Sequence, residues 1–216
     1  MPGLPLQTDA FVLLKRPPSD AFQGFNVFSA EHGALLVHQR LPGGASRRGG
    51  TKSAPSRDCG IALDLFDEVS LRLESSNQGQ TWFVQETRLI TRHAGIGRSY
   101  ETLRHASALA TLVARNPVHE DSRDQVAALL RQAFASFAAG ARPDLVWFKS
   151  LYCFARDEGY PVKQQWFPTL AAADREVVAA LLNQPLAGQT APAAAVARLA
   201  QRLEDYLRGH TEILLD

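Results

Sequence analysis

The sequence is poor in cysteine, in net charge and in long apolar runs, and each shortage excludes a class of protein. Two cysteines among 216 residues, Cys59 and Cys153, cannot build a disulfide framework or a zinc site made of cysteine alone. A net charge of +1 gives no global attraction for nucleic acid, so a site for an anionic polymer has to be local. No stretch approaches the roughly 20 apolar residues of a membrane span, and no secretory signal is recognisable. We therefore expect a cytoplasmic protein without a membrane partner.

Common catalytic and metal-binding motifs are missing as well. There is no Gly-x-Ser-x-Gly or His-Glu-x-x-His motif, and the six histidines have no ligand-like spacing. Asp64, Asp67 and Glu68 can in principle share a metal, but their apolar neighbours favour the turn of a strand pair. Residues 44–53 resemble a phosphate-binding loop, although the Gly-Lys-Ser/Thr order is broken. We expect no enzyme, no cofactor and no metal; nucleotide hydrolysis is the enzymatic alternative.

The first eighty residues have the pattern of a β-rich part. Val69, Leu71 and Leu73 alternate with polar residues, as in a half-buried strand. Turn-forming clusters separate five apolar runs, at residues 11–14, 25–28, 34–37, 61–66 and 69–73. About five short strands in this length predict a small closed β-barrel, which has no exposed sheet edge, or a small sandwich.

After about residue 80 the apolar residues follow helical spacing. The stripes predict helices that include residues 103–113, 126–137, 145–155 and 196–210. Ser122, followed by Gln125, is a capping-box pair for the second of these helices. The sequence thus predicts an α+β protein with segregated parts, a β-barrel over residues 1–80 and an α-helical domain over residues 81–216.

A basic segment between two predicted strands is the most suggestive part of the chain. Residues 40–57 contain no acidic residue. Their five basic residues are Arg40, Arg47, Arg48, Lys52 and Arg57. Such a loop on a small barrel can follow a phosphate backbone, and Phe22, Phe25 and Phe28 nearby are residues of the type that stacks on bases. The alternative is a solvated loop beside phenylalanines of the core.

The N-terminal part resembles the RecO family of recombination mediators. The resemblance lies in residues 9–16, the turns at residues 17–20 and 29–33, and the basic loop at residues 43–56. It implies an OB-fold-like barrel closed by residues 63–73, and a helical domain from Phe83 onward. Many members carry a four-cysteine zinc site in the helical domain, where this chain has Cys153 alone.

The resemblance also implies a function and partners. It implies a nucleoid-associated DNA repair and recombination mediator that binds single-stranded DNA and the acidic C-terminal tail of single-strand-binding protein. The family promotes strand annealing and works with RecR to load RecA, an indirect partner. The alternative is a protein-interaction module of the same fold that has lost DNA binding.

Two sets of site residues follow from this hypothesis. The predicted DNA-binding residues are Arg40, Arg47, Arg48, Lys52, Arg57, Phe25 and Phe28. The predicted peptide-binding residues, on the helix spanning residues 144–159, are Trp147, Lys149 and Arg156. Aromatic and basic side chains together suit an acidic peptide that ends in an aromatic residue. The alternative for this helix is an ordinary core helix with two snorkelling cations.

Overall fold

The computed structural model describes residues 4–19, 21–41, 61–75 and 79–215. The chain forms two compact units, Met1–Arg92 and His93–Asp216. The first is a closed β-barrel and the second is helical, which confirms the predicted α+β class. The units divide later than residue 80, because Trp82–Thr91 forms the last strand of the barrel instead of beginning the helical part.

The strand order of the barrel is β1-β2-β3-β5-β4, and β4 pairs back onto β1. The strands are β1 (Leu4–Lys15), β2 (Phe22–Ser29), β3 (Gly33–Arg40), β4 (Glu68–Ser75) and β5 (Trp82–Thr91). Neighbours pair antiparallel except β3 and β5, whose short parallel contact joins Val37 to Trp82 and closes the barrel. This closed, OB-like order excludes the sandwich.

Alternate residues of the strands fill the barrel interior. Phe25 and Val27 of β2, Val37 of β3, and Leu71 and Leu73 of β4 all belong to one buried cluster. Because successive side chains of a strand point to opposite faces, the even-numbered residues of β2 and the even-numbered residues of β3 lie on the outer face. This alternation positions the candidate site.

The apolar run before β4 forms a turn and not the predicted strand. The side-chain amide of Gln39 donates to the carbonyl of Ile61 at 2.9 Å and accepts from the amide of Leu63 at 3.0 Å. Arg92 donates two hydrogen bonds to the buried carboxylate of Asp67, at 3.0 and 2.6 Å. These side chains satisfy part of the polar groups of the turn, and a pair of backbone hydrogen bonds between Val12 of β1 and residues 66 and 67 satisfies others.

Apolar stripes of several helices meet in the core of the second unit. The helices are α1 (Tyr100–Arg115), α2 (Arg123–Ala138), α3 (Pro143–Asp157), α4 (Ala172–Asn183) and α5 (Ala193–His210). Leu109 of α1, Phe134 of α2, Phe148 of α3 and Leu203 of α5 are completely buried. The four predicted stripes therefore correspond to real helices. Within the described ranges, no helix has the length and apolarity needed to cross a bilayer.

A close backbone contact joins the turn before α1 to the end of α2. A Cβ atom added to Gly95 would overlap the carbonyl oxygen of Ala138 and lie 2.9 Å from its carbonyl carbon. In the same region the rings of His93 and Phe134 pack with their centroids 5.9 Å apart. Only a residue without a side chain allows this approach.

Candidate nucleic-acid interface

Three aromatic rings form a cluster on the outer face of the barrel. Phe22 and Phe83 meet edge to face, with centroids 5.4 Å apart and an interplanar angle of 67°. The ring of His38 lies 5.8 Å from that of Phe83. The strand register explains the cluster. His38 of β3 pairs with Phe83 of β5. Phe22 lies three positions before Phe25 in β2, and because Phe25 faces the barrel interior, Phe22 faces outward. All three rings of the cluster are partly exposed.

Two arginines flank this aromatic cluster. Arg40 is exposed and lies opposite Phe22 in the β2–β3 register. Arg16 follows β1; its side chain passes beside Gly24, and its Nε donates to Oδ1 of Asn26 at 2.8 Å. Considering only the described residues, neither guanidinium forms an ion pair with a carboxylate. Both charges are therefore available to an anionic ligand.

The positive part of the surface is local, as the low net charge requires. On the neighbouring strand β4, Glu74 lies opposite Phe83 in the register. Arg72 is paired with Glu86 at 3.5 Å, with both side chains 60% exposed. The positive charge is thus concentrated where the end of β1, β2 and β3 lie side by side. We call this surface, formed by Arg16, Phe22, His38, Arg40 and Phe83, the aromatic–basic face.

The structure assigns the predicted DNA-binding residues to different places. Arg40 lies on the aromatic–basic face. Phe25 and Phe28 are only 1% and 0% exposed, so neither ring can stack on a base, and this part of the prediction is wrong. The remaining predicted cations lie outside the described residues; they are Arg47, Arg48, Lys52 and Arg57. The segment that carries them follows β3 directly in the chain.

Three members of the face were missed by sequence reasoning. Arg16 stands after the first apolar run, and His38 lies within the third. A strict alternation from Val37 places His38 outside, and this signal was available. Phe83 was assigned to the helical domain, so its pairing with His38 could not be anticipated.

The predicted peptide-binding residues of α3 do not share one surface. Nε1 of Trp147 donates to Glu204 of α5 at 3.1 Å. Nζ of Lys149 donates to the carbonyl of Gln184, which follows α4, at 2.8 Å. Arg156 is paired with the aspartate next to it. Lys149 is about 200° and Arg156 about 180° around the helix from Trp147. The three residues therefore cannot all contact one short peptide.

Burial perturbs the titratable groups on the Lys149 side of α3. It lowers the pKa of the Lys149 ammonium group. It raises the pKa values of the Tyr152 hydroxyl and of the Cys153 thiol, and the positive charge of Arg156 only partly offsets these shifts. The thiol therefore stays protonated near neutral pH, and the structure gives it no activation as a nucleophile.

A groove lies on the Trp147 side of the helical unit, between α1 and α5. It has a volume of about 320 Å³, and its lining includes Arg104 and His105 of α1 and the acidic Glu204 of α5. Both α1 residues lie beside Glu101, to which Arg104 donates at 3.0 Å. The segment after α5 forms one wall. There the side-chain amide of Asn116 accepts from the backbone N–H of Leu214 at 2.8 Å and donates to its carbonyl at 3.1 Å.

The described residues contain no group of three or more His, Cys, Asp and Glu side chains that could hold a metal ion. Asp67, one of the three carboxylates considered from the sequence, is bound by Arg92. The fold and the face together define the chain as an OB-like barrel with a local aromatic and cationic surface, followed by a helical unit. No protein-family model matches the chain, and no curated protein matches it.

Proposed function

We propose that this protein is a non-catalytic DNA repair and recombination mediator, similar to RecO proteins, whose barrel binds single-stranded DNA on the aromatic–basic face. The observation that carries the proposal is the cluster of Phe22, His38 and Phe83 between Arg16 and Arg40. Aromatic rings stack on bases of any sequence, and guanidinium groups bind phosphates. The outer face of β2 and β3 is also the surface on which OB-folds hold oligonucleotides.

The basic segment after β3 extends this interface in our proposal. Its cations follow Arg40 in the sequence without an intervening acidic residue; they are Arg47, Arg48, Lys52 and Arg57. They bind phosphates and release counterions, while the rings on the barrel bind bases. This division of roles favours single strands, because a duplex keeps its bases stacked away from the rings.

The helical unit serves partner proteins in this proposal. The groove beside Trp147, with Arg104 and His105 on α1, takes the acidic C-terminal tail of single-strand-binding protein. This assignment keeps Trp147 from the predicted set but replaces Lys149 and Arg156, which face away from it. Cooperation with RecR, an indirect role with RecA, and a nucleoid-associated location rest on the resemblance alone.

The groove is equally compatible with the second candidate, a protein-interaction module without a nucleic-acid role. That candidate predicts peptide binding at the groove beside Trp147 and negligible DNA affinity at any salt concentration. The mediator predicts affinity that falls steeply with salt, because phosphate contacts release counterions.

The first prediction tests the rings. We expect the double variant Phe22→Ala/Phe83→Ala to bind labelled oligodeoxythymidine more weakly, because each lost stacking contact is worth about 1–3 kcal/mol. Fluorescence polarisation across a salt series measures the affinity, and circular dichroism checks that the barrel is folded.

The second prediction tests Arg40, one of the two arginines of the aromatic–basic face, with another exposed arginine as the matched control. Arg40→Ala should weaken binding, whereas Arg88→Ala should leave it nearly unchanged, because Arg88 is an exposed arginine of β5 outside the aromatic–basic face. Equal affinities for the wild type, the double phenylalanine variant and Arg40→Ala would rule out DNA binding at this face. Absence of binding by the wild type even at low salt would favour the interaction module.

A further inference from the structure

A β-bulge in β1 decides which way Arg16 faces. Before the bulge, Val12 pairs with Val27 and belongs to the buried cluster of the barrel interior. The register then shifts between Val12 and Leu14. Strict alternation from Val12 would turn Arg16 inward, whereas the extra residue of the bulge turns it to the outer face. Bulges commonly re-aim a side chain in this way beside a functional site.

The backbone of Arg16 is held on both sides of its Cα atom. Its N–H donates to the Gly24 carbonyl at 2.9 Å, which continues the β1–β2 register beyond the pair of Lys15 and Phe25. Its carbonyl accepts from the side-chain amide of the buried Gln23, which also donates to the Gly24 carbonyl at 3.1 Å. The side chain of Arg16 therefore starts from a fixed point, although it follows the end of the strand.

The side chain of Arg16 crosses β2 diagonally from Gly24 to Asn26. A Cβ atom added to Gly24 would lie 3.4 Å from Cβ and 3.7 Å from Cδ of Arg16, so the aliphatic stem runs beside a residue without a side chain. Nε of Arg16 donates to Oδ1 of the half-buried Asn26 at 2.8 Å. Diagonal neighbours on adjacent strands are within reach of a long side chain. Asn26 thus holds the guanidinium group in one place.

Asn26 binds only one edge of this guanidinium group. The group carries its N–H donors in a planar fork, and Nε has one of them. Among the residues that the structure describes, none accepts a hydrogen bond from the Nη atoms of the exposed Arg16. Parallel donors of a guanidinium match the oxygen atoms of a phosphate. Because the amide of Asn26 is neutral, it fixes the group without cancelling its charge.

We propose that Arg16 is a preorganised phosphate-binding residue of the aromatic–basic face, and that Asn26 is its positioning residue. The ligand is a backbone phosphate of single-stranded DNA, so this inference rests on the proposed function. Asn26 acts through Arg16 and does not itself contact the strand. A side chain that is already fixed loses less conformational entropy on binding than a free one.

The first test is Asn26→Leu, which removes the acceptor and keeps the size of the side chain. We expect its affinity for oligodeoxythymidine to fall roughly 2- to 10-fold, the cost of ordering one long side chain on binding. The salt dependence should stay the same, because Arg16 keeps its charge and the number of phosphate contacts does not change. The loss should be equal on an abasic strand of the same length. Ser70→Val, a polar-to-apolar change on the outer face of β4, is the control and should bind as the wild type does.

A double-mutant cycle with Arg16→Lys shows whether Asn26 acts through Arg16. Lysine keeps the charge but has neither the Nε–H nor the planar fork. Arg16→Lys alone should weaken binding by a similar factor, and Asn26→Leu should have no further effect in that background. Arg88→Lys, at an exposed arginine of β5, should bind as the wild type does. Losses that multiply would show that Asn26 contacts DNA directly and would overturn its assignment.

The outcomes separate this inference from the proposed function. If Asn26→Leu and Arg16→Lys both bind as tightly as the wild type while Arg40→Ala does not, the phosphate subsite is wrong and the DNA-binding face remains. A loss confined to the base-bearing strand would also overturn the subsite, because it would indicate a base contact. If the wild type binds neither strand, the proposed function itself fails and this inference with it. Arg16→Lys, a conservative change at an exposed position, keeps the subsite testable if Asn26→Leu does not fold.

Discussion

At the scale of single residues, Tyr152 and Cys153 are acids whose ionisation the folded protein opposes. Burial raises both pKa values above their ordinary ones. A raised pKa means that the folded state holds the proton more tightly than the unfolded chain. The stability that each group contributes is therefore complete below its ordinary pKa and is lost as the pH rises above it, starting near pH ~8.5 for the thiol. Lys149 acts in the opposite direction, because burial lowers its pKa.

This linkage predicts an alkaline loss of stability that depends on Cys153. We expect the free energy of unfolding to fall between about pH 7 and 9.5, by up to ~1.4 kcal/mol for each unit by which the thiol pKa is raised. Cys153→Ala should show a smaller loss. Urea unfolding of both proteins at the two pH values measures the difference; the Cys59 thiol is common to both. Parallel pH profiles would contradict the assignment.

The phenylalanines of β2 show how far the site could be predicted from the sequence. Phe22 and Phe25 are three positions apart, so a strand places them on opposite faces. The sequence indicated the strand, but aromatic residues of similar size stand on both faces, and this left the inward side undetermined. Val27 and Val37 decide it only after β2 has been paired with β3 in the observed register.

At the scale of elements, β5 was missed because its pattern is interrupted. The register between β4 and β5 shifts between Arg72 and Leu73, and the alternation of β5 changes phase between Val84 and Glu86. The apolar pattern of the sequence therefore predicts two short, unrelated segments instead of one strand. The apolar run before β4 gave the opposite error: it was predicted as a strand, but it forms a turn in which Leu63 and Phe66 are buried.

The start of α2 also differs from the prediction, in the hydrogen bond made by the Ser122 side chain. Ser122 was predicted to cap the helix through its side chain. In the structure its hydroxyl instead donates to the carbonyl of Asp157, at the end of α3, at 3.0 Å. Such a choice between a local and a distant acceptor depends on helix packing, which periodicity does not contain.

The contact between the turn at Gly95 and the end of α2 predicts a large effect from one methyl group. Gly95→Ala places a Cβ against the carbonyl of Ala138, and we expect it to reduce the stability of the helical unit by about 1–3 kcal/mol. Gly97→Ala, in the same turn, meets no atom within 4 Å and should change stability by less than ~0.5 kcal/mol. Denaturant unfolding followed by circular dichroism compares them. Equal stabilities would show that the turn relaxes freely.

At the scale of the whole molecule, the class and the order of the two parts could be predicted, whereas their division could not. The switch from short runs to helical stripes gives the order, which the closed barrel and the helices confirm. The position of the division depends on β5 closing the barrel against β3 through two registered pairs. That contact joins distant parts of the chain and leaves no local signal.

The low net charge predicts that salt dependence comes from few cations. For single strands the logarithm of affinity falls with a slope of about −0.7 per contacted phosphate. We expect Arg47→Ala/Arg48→Ala/Lys52→Ala to reduce the slope by about 2 and to weaken binding at low salt. A triple variant of equal charge on the helical unit, Arg98→Ala/Lys163→Ala/Arg175→Ala, is the control. An unchanged slope in the first variant would show that the basic segment does not contact DNA.

The hydrogen bonds of Gln39 have a consequence for how such a protein can be altered. The Gln39 side chain joins the end of β3 to Ile61 and Leu63, and Arg92, which follows β5, holds the same turn through the carbonyl of Ala62 and the carboxylate of Asp67. The barrel therefore supplies both attachment points of the intervening segment from its own residues. We therefore expect that the length and charge of the chain between these two points can be changed, by natural drift or by an engineer, while the barrel keeps its fold.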